Sequence, residues 1–116
     1  MSNDRKYDLE ERTEKFAKQV GEFTEKVSKT LPNLEYCKQV VRSSGSVGSN
    51  YIEANEALSK KDFIMRIKIC RKEAKETGYW LRLIKCKEEL QKEKDSFIQE
   101  ATELMKIFGS IITKSG

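Results

Sequence analysis

The chain of 116 residues has no histidine, one proline (Pro32) and three cysteines. Without histidine it lacks the commonest general base, the usual partner of Ser and Cys nucleophiles, and the commonest transition-metal ligand. The cysteines, Cys37, Cys70 and Cys86, are widely spaced and form no CxxC pair. They are expected to be reduced, mostly buried thiols rather than a disulfide framework. Apolar runs extend only a few residues, which leaves no candidate for a membrane-spanning helix. The opening MSNDRKYDLEERTEKF is charged throughout and has no apolar secretory core, so a cytoplasmic location is expected.

What is present is charge and helical periodicity. Charged residues make up 36% of the chain and hydrophobic ones 37%, a balance that suits helices with solvated outer faces better than a β-sandwich. Four segments carry apolar residues at helical spacing. The first, about residues 9–31, has Leu9, Phe16, Val20, Phe23, Val27 and Leu31, with Asp8, Glu10 and Glu11 in its first turn and Pro32-Asn33 as its stop. The second, about 34–58, aligns Tyr36, Val40, Val47, Tyr51, Ala54 and Leu58, beside a polar row of Gln39, Ser43, Ser46, Asn50 and Ala57. The third, about 60–90, starts at a Ser59 cap with Asp62 three residues on. Its residues Phe63, Ile67, Cys70, Ala74, Thr77, Leu81 and Ile84 form a heptad seam. The fourth, about 95–113, repeats Phe97, Ile98, Ala101, Leu104, Met105, Phe108, Ile111 and Ile112.

Short connections between such segments make neighbours antiparallel. The expected fold is therefore all-α: one domain over 1–116, an antiparallel up-down-up-down four-helix bundle. The second segment holds Gly45 and Gly48 among Ser43, Ser44, Ser46 and Ser49. Gly in a helix costs up to about 1 kcal/mol relative to Ala, so this surface is read as one that another backbone approaches closely. A phosphate-loop reading of GSVGSN fails, because the GK[ST] ending and the preceding strand are missing.

The net charge of +4 is uneven, since residues 60–94 hold twelve basic and six acidic groups. At 100° per residue, Lys68, Arg71, Lys72, Lys75 and Arg82 share one sector of the third helix, with Tyr79 among them. Such a stripe is either a solvated face, a phosphate-binding surface for RNA or DNA, or a site for an acidic protein partner. Met65, Ile69, Trp80 and Leu83 form a second apolar row, read either as an oligomer interface or as additional core.

Four polar residues, Asn50, Glu53, Glu73 and Glu76, are expected to form a buried or interfacial network with Ser, Tyr or Arg donors that fixes helix register. Inward carboxylates on a bundle also suit di-metal oxidases, but those sites need a Glu-x-x-His motif on each of two helices. No metal and no cofactor are expected. A paired-carboxylate glycosidase is set aside, because a narrow bundle offers no evident sugar cleft.

A family resemblance rests on Gln39, Arg42-Ser43-Ser44, Ser46-Val47, Ser49-Asn50-Tyr51, Glu53-Ala54, Ala57, Ser59-Lys60-Lys61-Asp62-Phe63, Glu73-Ala74-Lys75-Glu76-Thr77 and Tyr79-Trp80-Leu81. The initial Tyr7-Asp8-Leu9-Glu10-Glu11-Arg12-Thr13 and Phe16 fit as well. Together these residues resemble the four helix bundle proteins also known as 23S ribosomal RNA intervening-sequence (S23-like) proteins. Many members carry Asn-Ile-Ala-Glu-Gly where this chain has Asn50-Tyr51-Ile52-Glu53-Ala54, so it is similar to the branch with EA and ETxYWL signatures. The resemblance implies a small bacterial cytoplasmic bundle that assembles as a homopentamer and whose biochemical role is not settled. A similar protein is the accessory subunit of diversity-generating retroelements, a pentameric bundle with a basic exterior that binds nucleic acid and a reverse transcriptase. The expected function is non-enzymatic binding of RNA or DNA through the basic face, with little sequence preference. The alternative is a protein-interaction or structural module without nucleic-acid binding.

Overall fold

A computed structural model describes residues 2–115, with side chains from residue 9 onward. It contains four helices: α1 (Ser2–Thr24), α2 (Leu31–Asn55), α3 (Lys60–Leu83) and α4 (Glu88–Ser115). Each neighbouring pair runs antiparallel, as the cross-helix partners show. Arg42 reaches Glu73 while Asn50 reaches Arg66 between α2 and α3. Arg12 meets Glu100 while Lys26 meets Glu93 between α1 and α4. The four-helix bundle read from periodicity is thus present, 44 × 24 × 19 Å in extent. Among the described residues, no helix is long and apolar enough to cross a membrane.

The core follows the apolar stripes. Leu9, Phe16, Val20, Phe23 and Val27 of the first stripe are buried, as are Val40, Val47, Tyr51 and Ala54 of the second. The heptad seam of α3 is buried from Ile67 to Leu81 and on to Ile84, and α4 contributes Phe97, Ala101, Leu104 and Phe108. Phe97 packs edge-on against both Phe16 and Phe23, with ring centroids 6.4 and 5.7 Å apart. Fully burying each such side chain is worth about 1.5–3 kcal/mol.

The helix ends differ from the expected ones. Helix α1 stops at Thr24, not at residue 31, and Leu31 is 82% exposed. Val27 lies in the following turn yet is buried, so the apolar rhythm outlasts the helix. Pro32 does not stop α1; it sits in the first turn of α2, where its missing N–H costs nothing, behind an N-cap at Thr30. Because α1 begins at Ser2, Asp8, Glu10 and Glu11 do not lie in its first turn, and the Tyr7 and Asp8 side chains lie outside the described ones. Helix α2 ends at Asn55 rather than 58, leaving Leu58 97% exposed in the turn. The Ser59 cap holds, its Oγ accepting from the Asp62 amide at 3.0 Å.

Helix α3 ends at Leu83, not at 90, and the connection is 84–87 rather than 92–95, so α4 starts seven residues earlier than its apolar pattern suggests. Two long-range contacts hold that break. Buried Asn33 donates from Nδ2 to the carbonyls of Ser28 (3.0 Å) and Lys85 (2.9 Å), while its Oδ1 accepts from the Lys85 amide at 3.0 Å. Lys94, also buried, donates from Nζ to the carbonyl of Ile84 at 2.8 Å, placing a cation at the negative end of α3.

On the small-residue surface of α2, Gly48 lies tight against α1. A Cβ built at Gly48 would lie 2.8 Å from Thr13 Oγ1 and 3.2 Å from Thr13 Cβ on α1. Thr13 cannot withdraw easily, because it is buried and its hydroxyl is bonded to the Leu9 carbonyl at 2.8 Å. On the α3 side, Ser43 shares a 2.9 Å hydrogen bond with Thr77. Gly45, in contrast, has nothing within 4 Å of a built Cβ.

Gly48→Ala should destabilise by about 1–3 kcal/mol through overpacking. Gly45→Ala should leave stability unchanged or raise it by up to about 1 kcal/mol, because it only removes a helix-weakening residue. Thermal melts of the two variants read this contrast directly. Asn33→Ala should cost about 1–3 kcal/mol by orphaning buried backbone groups. Hydrogen exchange at the Lys85 amide should accelerate in that variant, and an unchanged rate would remove Asn33 as the tie between the two connections.

Candidate functional site

Helix α3 carries two chemically different flanks. Toward α2 it presents carboxylates. Glu73 is buried to 8% exposure and lies 3.2 Å from the Arg42 guanidinium, which also reaches Glu76 at 3.4 Å. Arg66 donates to Asn50 Oδ1 at 3.0 Å, and Asn50 Nδ2 donates in turn to the Ser46 carbonyl at 2.9 Å. Three of the four expected network residues, Asn50, Glu73 and Glu76, therefore line the α2–α3 seam in two separate clusters. Only Glu73 is buried; Glu53 is exposed and makes no side-chain ion pair among the described residues. Arg42 is not among the network residues expected from the sequence. Its position across an antiparallel register from Glu73 was the available signal.

Toward α4 and solvent, α3 presents a row of cations with Tyr79 among them. Lys68, Arg71, Lys72, Lys75 and Arg82 are all exposed, and none forms an ion pair among the described residues. The acidic groups that could neutralise them are engaged elsewhere. Glu73 and Glu76 face Arg42, while Glu100 and Glu103 of α4 both bind Arg12 of α1, at 2.7 and 3.1 Å. The Glu100 hydrogen bond holds the Arg12 guanidinium above its ordinary pKa.

Beside the cations runs a shallow groove of about 180 Å³ between α3 and α4, lined by Ala74, Lys75, Gly78, Arg82, Ala101, Thr102 and Met105. Arg82 folds back along α3, its Nη1 3.3 Å from where a Gly78 Cβ would lie, and Arg71 lies over Gly109 of α4, its Cδ 3.7 Å from a Cβ built there. Small residues at Gly78 and Gly109 let both guanidinium stems lie flat along the helices. Tyr79 is half-exposed on this flank and packs edge-on against Trp80, with centroids 5.0 Å apart.

The second apolar row does not form one buried surface. Met65 is 52% exposed, whereas Ile69, Trp80 and Leu83 are half-buried. Trp80 stacks on Tyr36 of α2 with centroids 6.2 Å apart, an aromatic pair that periodicity alone did not reveal. The three cysteines form no disulfide. Burial pushes the Cys70 thiol up to about 12 and raises Cys37 as well, which leaves both protonated and poorly nucleophilic at neutral pH.

A family model described as 23S rRNA-intervening sequence protein matches residues 5–110 of the chain. Among curated proteins, none matches. A solved structure of a protein of unknown function from the S23 ribosomal protein family of Bacteroides thetaiotaomicron VPI-5482 is 31% identical, with a TM-score of 0.74. The similarity covers 93% of this chain and 97% of that one.

Proposed function

The chain belongs to the 23S rRNA-intervening sequence protein family, and we propose that it is a non-enzymatic, oligomeric bundle that binds RNA or DNA through the α3 basic face. The observation that carries this reading is the segregation of charge on α3. Five exposed cations lie on one flank without a carboxylate partner among the described residues, while Glu73 and Glu76 of α3 pair with Arg42 and Glu100 and Glu103 of α4 pair with Arg12. A merely solubilising surface needs no such sorting, since mixed signs serve solubility equally well. Phosphate neutralisation by these groups would release counterions and give salt-sensitive binding with little sequence preference.

The same reading makes the α2–α3 seam the surface on which copies of the chain meet, with Ile69, Trp80 and Leu83 at its centre and Met65 at its margin. Their partial exposure beside the stacked Tyr36 supports this, because aromatic and aliphatic groups of that kind anchor interfaces. A cytoplasmic setting is part of the proposal.

Charge reversal by Lys72→Glu and Lys75→Glu together should weaken nucleic-acid binding by about tenfold or more near 0.1 M salt, and should lower the salt slope by about 2. Fluorescence anisotropy against salt measures both, with a thermal melt confirming an intact bundle. Unchanged affinity would move the function to a protein partner. Trp80→Ala should lower the assembly mass in light scattering. Loss of soluble protein without a smaller species would assign Trp80 to the core instead.

A further inference from the structure

The basic flank of α3 is interrupted between Lys75 and Arg82 by an aromatic ring, and that interruption specifies the ligand further than charge does. Tyr79 follows Lys75 by four residues and Lys72 by seven, and precedes Arg82 by three, so it shares their helix face at spacings of one or two turns. It is 50% exposed, and its hydroxyl makes no hydrogen bond among the described residues. The ring is held: Trp80 packs against it edge-on at 74°. Trp80 is in turn stacked on Tyr36 of α2. A large apolar ring fixed in place among cations is poorly explained by solvation.

Resting on the basic-face reading, we infer that this flank recognises single-stranded nucleic acid, with Tyr79 as the platform for an unpaired base and Lys72, Lys75 and Arg82 on the flanking phosphates. In a duplex, each base already has neighbours on both faces, and a ring on a rigid helix has no free face to meet. Unpaired bases are open to stacking, and such stacking tolerates any sequence. The groove floored by Ala74, Gly78 and Ala101 lets the backbone run close to α3 between Lys75 and Arg82.

The test compares labelled single-stranded RNA, single-stranded DNA and an RNA duplex of the same sequence by anisotropy, with wild type, Tyr79→Ala, Tyr79→Phe and the Lys72→Glu/Lys75→Glu variant. Tyr79→Ala should weaken both single strands about tenfold, leave the duplex within about twofold, and keep the salt slope, because stacking releases no counterions. Tyr79→Phe should bind like wild type. Trp80 is the only tryptophan in the chain and touches Tyr79, so its emission should change with single strands and not with duplex in the unmodified protein. Equal losses for single strand and duplex on Tyr79→Ala, or none, would overturn the stacking role while the charge-reversal result still upheld the basic face. Unchanged binding by the charge-reversal variant would overturn both.

Discussion

The close approach of α2 to its neighbours is the constraint on which the other features depend. At Gly48 there is no room for a methyl group against Thr13, and at Ser43 only a hydroxyl separates α2 from Thr77. Helices this near to one another must satisfy their polar groups locally, and they do: no buried side-chain nitrogen or oxygen among the described residues lacks a partner. Thr13, Ser43 and Ser44 donate to carbonyls of their own helices, and Ser43 also accepts from Thr77 across the interface. The outer edge of the α2–α3 seam can then hold longer side chains, and it is there that Arg42, Arg66, Tyr36 and Trp80 reach across.

That arrangement also decides where charge goes. With α2 held against α3, Arg42 is within reach of Glu73 and Glu76, and the acidic side of α3 becomes an internal matter of the bundle. Arg12 does the same for Glu100 and Glu103 on α4. The more exposed of these pairs, Arg42–Glu76 and Arg12–Glu103, contribute little to stability, on the order of 0–1 kcal/mol each. Their consequence is electrostatic: the cations on the other flank of α3 are left without an ion-pair partner among the described residues, and clustered charge of one sign attracts a polyanion. A weak stabilising role and a strong patterning role coexist in the same residues.

The two ends of the bundle are held differently. At the end where α2 meets α3, the four-residue connection and the Ser59 cap are local, and Asn55 donates from Nδ2 to the Glu10 carboxylate of α1 at 2.9 Å. At the other end, the α1–α2 and α3–α4 connections are joined through Asn33, which pairs with the Lys85 backbone much as a neighbouring strand would, while Lys94 reaches the Ile84 carbonyl. Ile84 itself is extended rather than helical, yet it remains buried in the seam. The heptad pattern therefore runs through a residue at which the helix has already ended.

The apolar stripes, the Ser59 cap, the Gly48 contact and the cationic sector of α3 were all legible in the sequence, because each depends on side-chain spacing along one element or on the chemistry of a single position. The helix ends at 24, 31, 83 and 88 were not, and neither were the division of Asn50, Glu73 and Glu76 into two clusters, the exclusion of Glu53, or the open surroundings of Gly45. Buried residues in turns, such as Val27 and Ile84, prolong a helical rhythm past the last helical residue, so periodicity overruns the break. What stops α3 is a hydrogen bond from a residue 52 positions away, and what selects the partners of Arg42 is the register of two helices. Periodicity by itself determined that four amphipathic helices would share one core, since burying an apolar stripe leaves few alternatives. Only the tertiary structure decided where they end and which charges are left unpaired, because those outcomes depend on distances between segments remote in the chain.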